Sequence, residues 1–139
     1  MKTIWTVLMV LVSVAALTVS ARAAVVSVRV FNSEFDPDPT INLNDTVRWE
    51  WDPNIFLHST TSATGLLESW DSGLKDDPFT FDHTFTNVGS FAYYCRAHGV
   101  DNLDGTTSGM AGVVTVVPEP VSIGLFSLGA IVLIGRRRR

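Results

Sequence analysis

The chain has 139 residues, of which 46% are hydrophobic and 10% aromatic, with a formal net charge of −4 and a single cysteine. One cysteine excludes an intramolecular disulfide framework and a thiolate-bridged binuclear metal site. Between residues 24 and 117 four cations face thirteen anions, a net charge near −9, which excludes a nucleic-acid surface; that span is about the size of one small domain.

The N-terminus carries one cation, Lys2, then an apolar run from Ile4 to Val19, then the small-x-small site Ala21-Arg22-Ala23. This order predicts a secretory signal peptide over residues 1–23, cut by signal peptidase to leave Ala24 first. An exported chain meets oxidising surroundings, so a lone thiol needs a reason to stay unpaired.

The next segments read as strand after strand. Val26, Val28 and Val30 alternate with Ser27 and Arg29, and Val47, Trp49 and Trp51 alternate with Arg48, Glu50 and Asp52. Phe79, Phe81 and Phe85 share one parity, with Thr80, Asp82 and Thr84 on the other. Period two with aromatic and β-branched residues on one side predicts half-buried sheets. Turn chemistry separates the runs at Asp36-Pro37-Asp38-Pro39, Asn42 to Asp45, Asp52-Pro53-Asn54, Asp71-Ser72-Gly73 and Asn87-Val88-Gly89. Asn44-Asp45-Thr46 matches a glycosylation acceptor but reads as a turn at the start of a strand. No long segment has helical periodicity, so residues 24–117 are expected to form one all-β sandwich. His83, at the parity of Phe81 and Phe85, reads as structural.

The chemistry gathers late in the chain. In the strand Ser90 to Cys95, alternation puts Phe91, Tyr93 and Cys95 on one face, so an inward face carries the thiol at the strand's end. His98 follows in the next loop, where its imidazole can turn back. Thiolate plus imidazole suits copper or zinc, and copper(II) is favoured at equal geometry. His58 follows the WEW strand and its turn, and so approaches from another part of the sheet. Met110 stands just before the final strand, Ala111 to Val117. His58, Cys95 and His98 with a weak axial Met110 would form the two-His, one-Cys site of a blue copper protein. Eleven residues, GVDNLDGTTSG, separate His98 from Met110, which leaves Met110 either an axial ligand or a core methionine.

With these pieces in place the chain resembles the plastocyanin-like cupredoxins. VRWEW, HSTTS, WDSG, FTFDHTFTNVGSFAYYCRAHG and GMAGVVTV occur in the family order across nearly all of residues 24–117. The resemblance implies a Greek-key β-sandwich with one type 1 copper held by His58, Cys95, His98 and Met110. It also implies a one-electron carrier, not an enzyme, that meets a redox partner protein near His98, with Tyr94 on the outward face. A copper-binding or buffering module, or a cell-surface structural protein on the same sandwich, is the alternative function.

The last 22 residues are a second address. Val117-Pro118-Glu119-Pro120 precedes an apolar segment, Val121 to Ile134, and four terminal arginines. The apolar segment is shorter than the roughly 20 residues that span a bilayer, and the arginines would hold that end on the cytoplasmic side. Residues 118–139 resemble the PEP-CTERM sorting signal of Gram-negative bacteria, read by an exosortase. This implies transient membrane association and delivery to the periplasm, cell surface or extracellular matrix.

Overall fold

The computed structural model describes residues 22–119. The expected signal peptide and sorting tail therefore lie outside the described residues, apart from Arg22, Ala23, Pro118 and Glu119.

Among the described residues there are eight strands and no helix. One sheet has the spatial order β2 (Glu34–Asp36), β1 (Val25–Phe31), β4 (Thr46–Trp51), β6 (Thr80–Thr84). The other runs β3 (Thr40–Asn42), β8 (Thr107–Val117), β7 (Gly89–Asp101), β5 (Thr61–Ser62). From β2 to β7 the chain passes back and forth between the sheets, which makes an all-β sandwich as the periodicity predicts. The pairs β1–β4 and β3–β8 are parallel and the others antiparallel.

The predicted inward residues build the core. Val28, Val30, Val47, Trp49, Phe85, Tyr93 and Val114 are fully buried, and each large apolar side chain so placed contributes about 1.5–3 kcal/mol. Trp49 is the centre of this packing, edge-on to Tyr93 at 5.4 Å and stacked on Trp70 at 5.6 Å. Opposite parity faces water, where Arg48 of β4 pairs with its cross-strand neighbour Asp82; such exposed pairs contribute little.

Glu68 is a carboxylate buried in the loop between β5 and β6. It accepts hydrogen bonds from the Thr86 and Asn87 amides at 2.8 Å each, and His83 Nε2 lies 3.2 Å from its other oxygen. His83 also stacks on Trp70 at 4.9 Å. It thus fastens the loop over the core, the structural place its parity predicts.

Two boundaries differ from expectation. β7 does not end at Cys95 but runs through His98 to Asp101, and β8 begins at Thr107 rather than at Ala111. The eleven residues between His98 and Met110 are a hairpin, not an open loop. Sequence alternation ended the strand early because the chain there leaves the period-two pattern at a bulge.

Candidate metal centre

The bulge positions the donors. β7 and β8 pair regularly up to Tyr94 opposite Ala111, and again from Gly99 opposite Gly109 to Asp101 opposite Thr107. Between these runs Cys95, Arg96, Ala97 and His98 stand against Met110 alone. Four residues against one force the strand out of plane, and His98 Nδ1 comes to lie 3.4 Å from Cys95 Sγ. Beyond the bulge the hairpin closes through Asn102 N, which donates to Thr106 O at 3.1 Å. Register therefore returns Met110 to the site whatever the length of the turn.

Two glycines permit the close approach of the hairpin strands. A Cβ on Gly99 would stand 2.5 Å from Met110 O, and one on Gly109, whose φ is +75°, 2.7 Å from His98 O.

His58 arrives from the segment before β5. Its amide donates to Lys75 O at 3.0 Å and its carbonyl accepts from Lys75 N at 2.8 Å, while Leu57 N donates to Asp76 Oδ1 at 2.8 Å. Leu57 adopts a left-handed φ of +57°. A left-handed leucine is strained; here the turn leaves Leu57 exposed and carries His58 inward, to 5% exposure.

Cys95 Sγ lies 3.7 Å from His58 Nδ1, and Met110 Sδ lies 3.1 Å from the same nitrogen. The ligand atoms of His58, Cys95 and His98 are all within 4.8 Å of one another. Thiolate and imidazole bind first-row divalent ions at about 2.3 and 2.0 Å, so bond angles between tetrahedral and trigonal require S···N separations of roughly 3.5–3.7 Å. The observed separations of 3.4 and 3.7 Å come within about 0.1 Å of that range. Cys95, His58 and Met110 are buried, and His98 is exposed.

Burial, and after it the charge of His98, lowers the His58 pKa. The neutral imidazole is the form that binds a metal. Ser59 N donates to Cys95 Sγ at 3.4 Å.

A closed ring of hydrogen bonds surrounds this pair of loops. Arg96 N donates to Ser59 Oγ at 2.9 Å, and Thr61 Oγ1 donates to Asp71 Oδ1 at 2.9 Å. With the Thr61 proton so used, the 3.1 Å contact between Ser59 Oγ and Thr61 Oγ1 is a bond that Ser59 donates. Arg96 Nη1 then donates to Asp71 Oδ2 at 2.8 Å and closes the ring. It ties the residue after Cys95 to the residue after His58. Sequence reasoning missed Thr61, Asp71 and Arg96, because Asp71-Ser72-Gly73 reads locally as a turn and nothing nearby names its partners.

The structure thus brings together His58, Cys95, His98 and Met110, and leaves His83 outside the group. Comparison with protein-family models and with curated proteins finds no match for the sequence. Solved structures do match in fold. A reduced tryptophan-to-tyrosine mutant of amicyanin superposes with a TM-score of 0.53 at 17% identity, over 70% of this chain and 87% of that one. An oxidised proline-to-alanine mutant of amicyanin gives 0.53 at 20% identity over the same shares. A proline-to-glycine mutant of amicyanin, in its reduced Cu(I) form at pH 4, gives 0.51 at 21% identity over 72% and 87%. The sandwich is therefore of the cupredoxin type.

Proposed function

We propose that this chain is an exported type 1 copper protein that carries single electrons, with His58, Cys95 and His98 as copper ligands and Met110 as the weak axial donor. One observation carries the reading: a nitrogen of His58, a nitrogen of His98 and the sulfur of Cys95 lie within 4.8 Å of one another, with the thioether of Met110 3.1 Å from His58 Nδ1. A two-His, one-Cys set with a long thioether contact is the donor combination of blue copper electron-transfer sites. The amicyanin structures, which include Cu(I), reduced and oxidised forms, support the same assignment.

Copper bound there supplies a Cu(II)/Cu(I) couple. The protein's part is to hold the donors still. The bulge fixes Cys95 and His98 against each other, the bridge to Lys75 fixes His58, and the hairpin register fixes Met110. Burial of Cys95 and Met110 keeps water from the thiolate, while the exposed His98 ring gives a redox partner protein its point of approach. An acidic domain surface favours a partner with a basic face. The chain is not an enzyme in this reading, since of its three histidines only His83 remains for further chemistry, and His83 is engaged with Glu68.

The test is the visible spectrum of the copper-loaded protein. An intense thiolate-to-copper band is expected, and Cys95→Ser abolishes it. A band that survived in the serine variant would remove Cys95 from the site. Electron exchange with a small redox protein separates a carrier from a copper store or a structural protein.

A further inference from the structure

Asp45 is only 4% exposed, yet among the described residues no cation stands within ion-pair distance of it. An ionised carboxylate out of water needs a partner. One oxygen, Oδ2, has a local role, accepting from Asn42 N at 2.8 Å across the turn before β4. The other, Oδ1, accepts from the backbone nitrogen of Ala24 at 2.6 Å, 21 residues away in sequence. Turn formation does not account for that second bond.

Ala24 is the residue that the small-x-small site Ala21-Arg22-Ala23 places first after processing. Arg22, Ala23 and Ala24 are exposed and belong to no strand, the form in which a peptidase takes its substrate. Ala24 is nevertheless fixed where the fold begins, since Thr46 N donates to Ala24 O at 2.8 Å and Phe85 N donates to Asp45 O at 3.0 Å.

We propose that cleavage between Ala23 and Ala24 converts the Ala24–Asp45 hydrogen bond into an ion pair, so that the new α-ammonium becomes the missing cation for Asp45 and fastens the mature N-terminus to the sandwich. Hydrolysis breaks the Ala23–Ala24 peptide bond and consumes one water: the hydroxyl completes the Ala23 carboxylate, and the nitrogen of Ala24 becomes an amine that takes a further proton near neutral pH. The precursor keeps a neutral amide at the same place. Processing therefore tightens β1, a central strand of its sheet, and the effect is independent of any metal.

The processed chain contains two amines, the α-amine of Ala24 and Lys75 Nζ, and Lys75 is exposed. The exported, processed protein is first weighed and its N-terminus sequenced, then labelled with trace acetic anhydride at neutral pH; the two sites are compared by peptide mass spectrometry. A free α-amine outpaces a lysine because its pKa is lower. The expected result is Ala24 at the N-terminus, labelled relative to Lys75 at least about tenfold more slowly than in Asp45→Asn, the factor of one pKa unit. The same slowing should appear between folded parent and parent in denaturant, which needs no variant. A mature terminus other than Ala24 overturns the cleavage on which the pair rests, and equal labelling of folded and unfolded parent overturns the pair itself.

Discussion

Replacing Gly99 by alanine tests whether hairpin register sets the metal centre. The added Cβ would meet Met110 O at 2.5 Å, Ser108 O at 3.0 Å and Cys95 O at 3.2 Å. The shortest of these is well inside the roughly 3.3 Å at which carbon and carbonyl oxygen meet in sheets. All three neighbours are backbone, so no rotamer change relieves the contact, and two of them belong to the proposed ligands Cys95 and Met110. Gly99 itself has no left-handed φ, so the cost is purely that of overpacking, about 1–3 kcal/mol. With a urea slope of about 1–3 kcal/mol per molar, the midpoint of the metal-free protein should fall by about 1 M. Gly109→Ala should cost more, since its Cβ would lie 2.7 Å from His98 O and its φ is +75°; the left-handed backbone adds about 1–2 kcal/mol. Gly105→Ala is the control: φ is +84° there, but the nearest atom is Leu66 Cδ2 at 3.6 Å, so only the backbone term applies. Urea denaturation of the three variants gives the order. A Gly99→Ala protein as stable as its parent would refute the close approach of the two strands at the bulge.

The other predictions concern the donors and their supports. Met110→Leu should keep copper and raise its reduction potential by at least about 59 mV, a tenfold change in the one-electron equilibrium; an unchanged potential in cyclic voltammetry would take Met110 out of the site. Thr61→Val opens the hydrogen-bonded ring and should cost about 1–2 kcal/mol, with faster hydrogen exchange at the Ser59 and Arg96 amides, whereas Thr61→Ser should behave as the parent. For Glu68, burial raises the carboxyl pKa, but the bonds from Asn87, Thr86 and His83 together outweigh it and hold the group below the ordinary glutamate range. A depressed carboxylate stabilises the fold above its unfolded pKa and loses that contribution as pH falls through the folded value. Urea midpoints should therefore separate Glu68→Gln from the parent at pH 7 and converge in acid as the pH falls through the depressed pKa of the folded carboxyl, and a constant gap would contradict the role given to the carboxylate.

Much of this protein is decided residue by residue. Alternation in Val26 to Val30, Val47 to Trp51 and Phe91 to Cys95 sets which side chains face inward, because consecutive Cβ atoms of a strand point to opposite faces whatever the strand pairs with. The donor types follow equally directly: one thiol, three imidazoles and, beyond the first ten residues, one thioether leave few ways to build a soft metal site. The eleven-residue spacing between His98 and Met110 could not be interpreted locally. Only cross-strand register, with Gly99 opposite Gly109, turns that segment into a hairpin and returns Met110 to Cys95. The same holds for Asp71, which joins two loops it does not adjoin in sequence, and for Asp45, whose second oxygen reaches Ala24. Periodicity records the face of a single strand, whereas register and long-range hydrogen bonds arise between segments, and only the packed sandwich decides which segments meet.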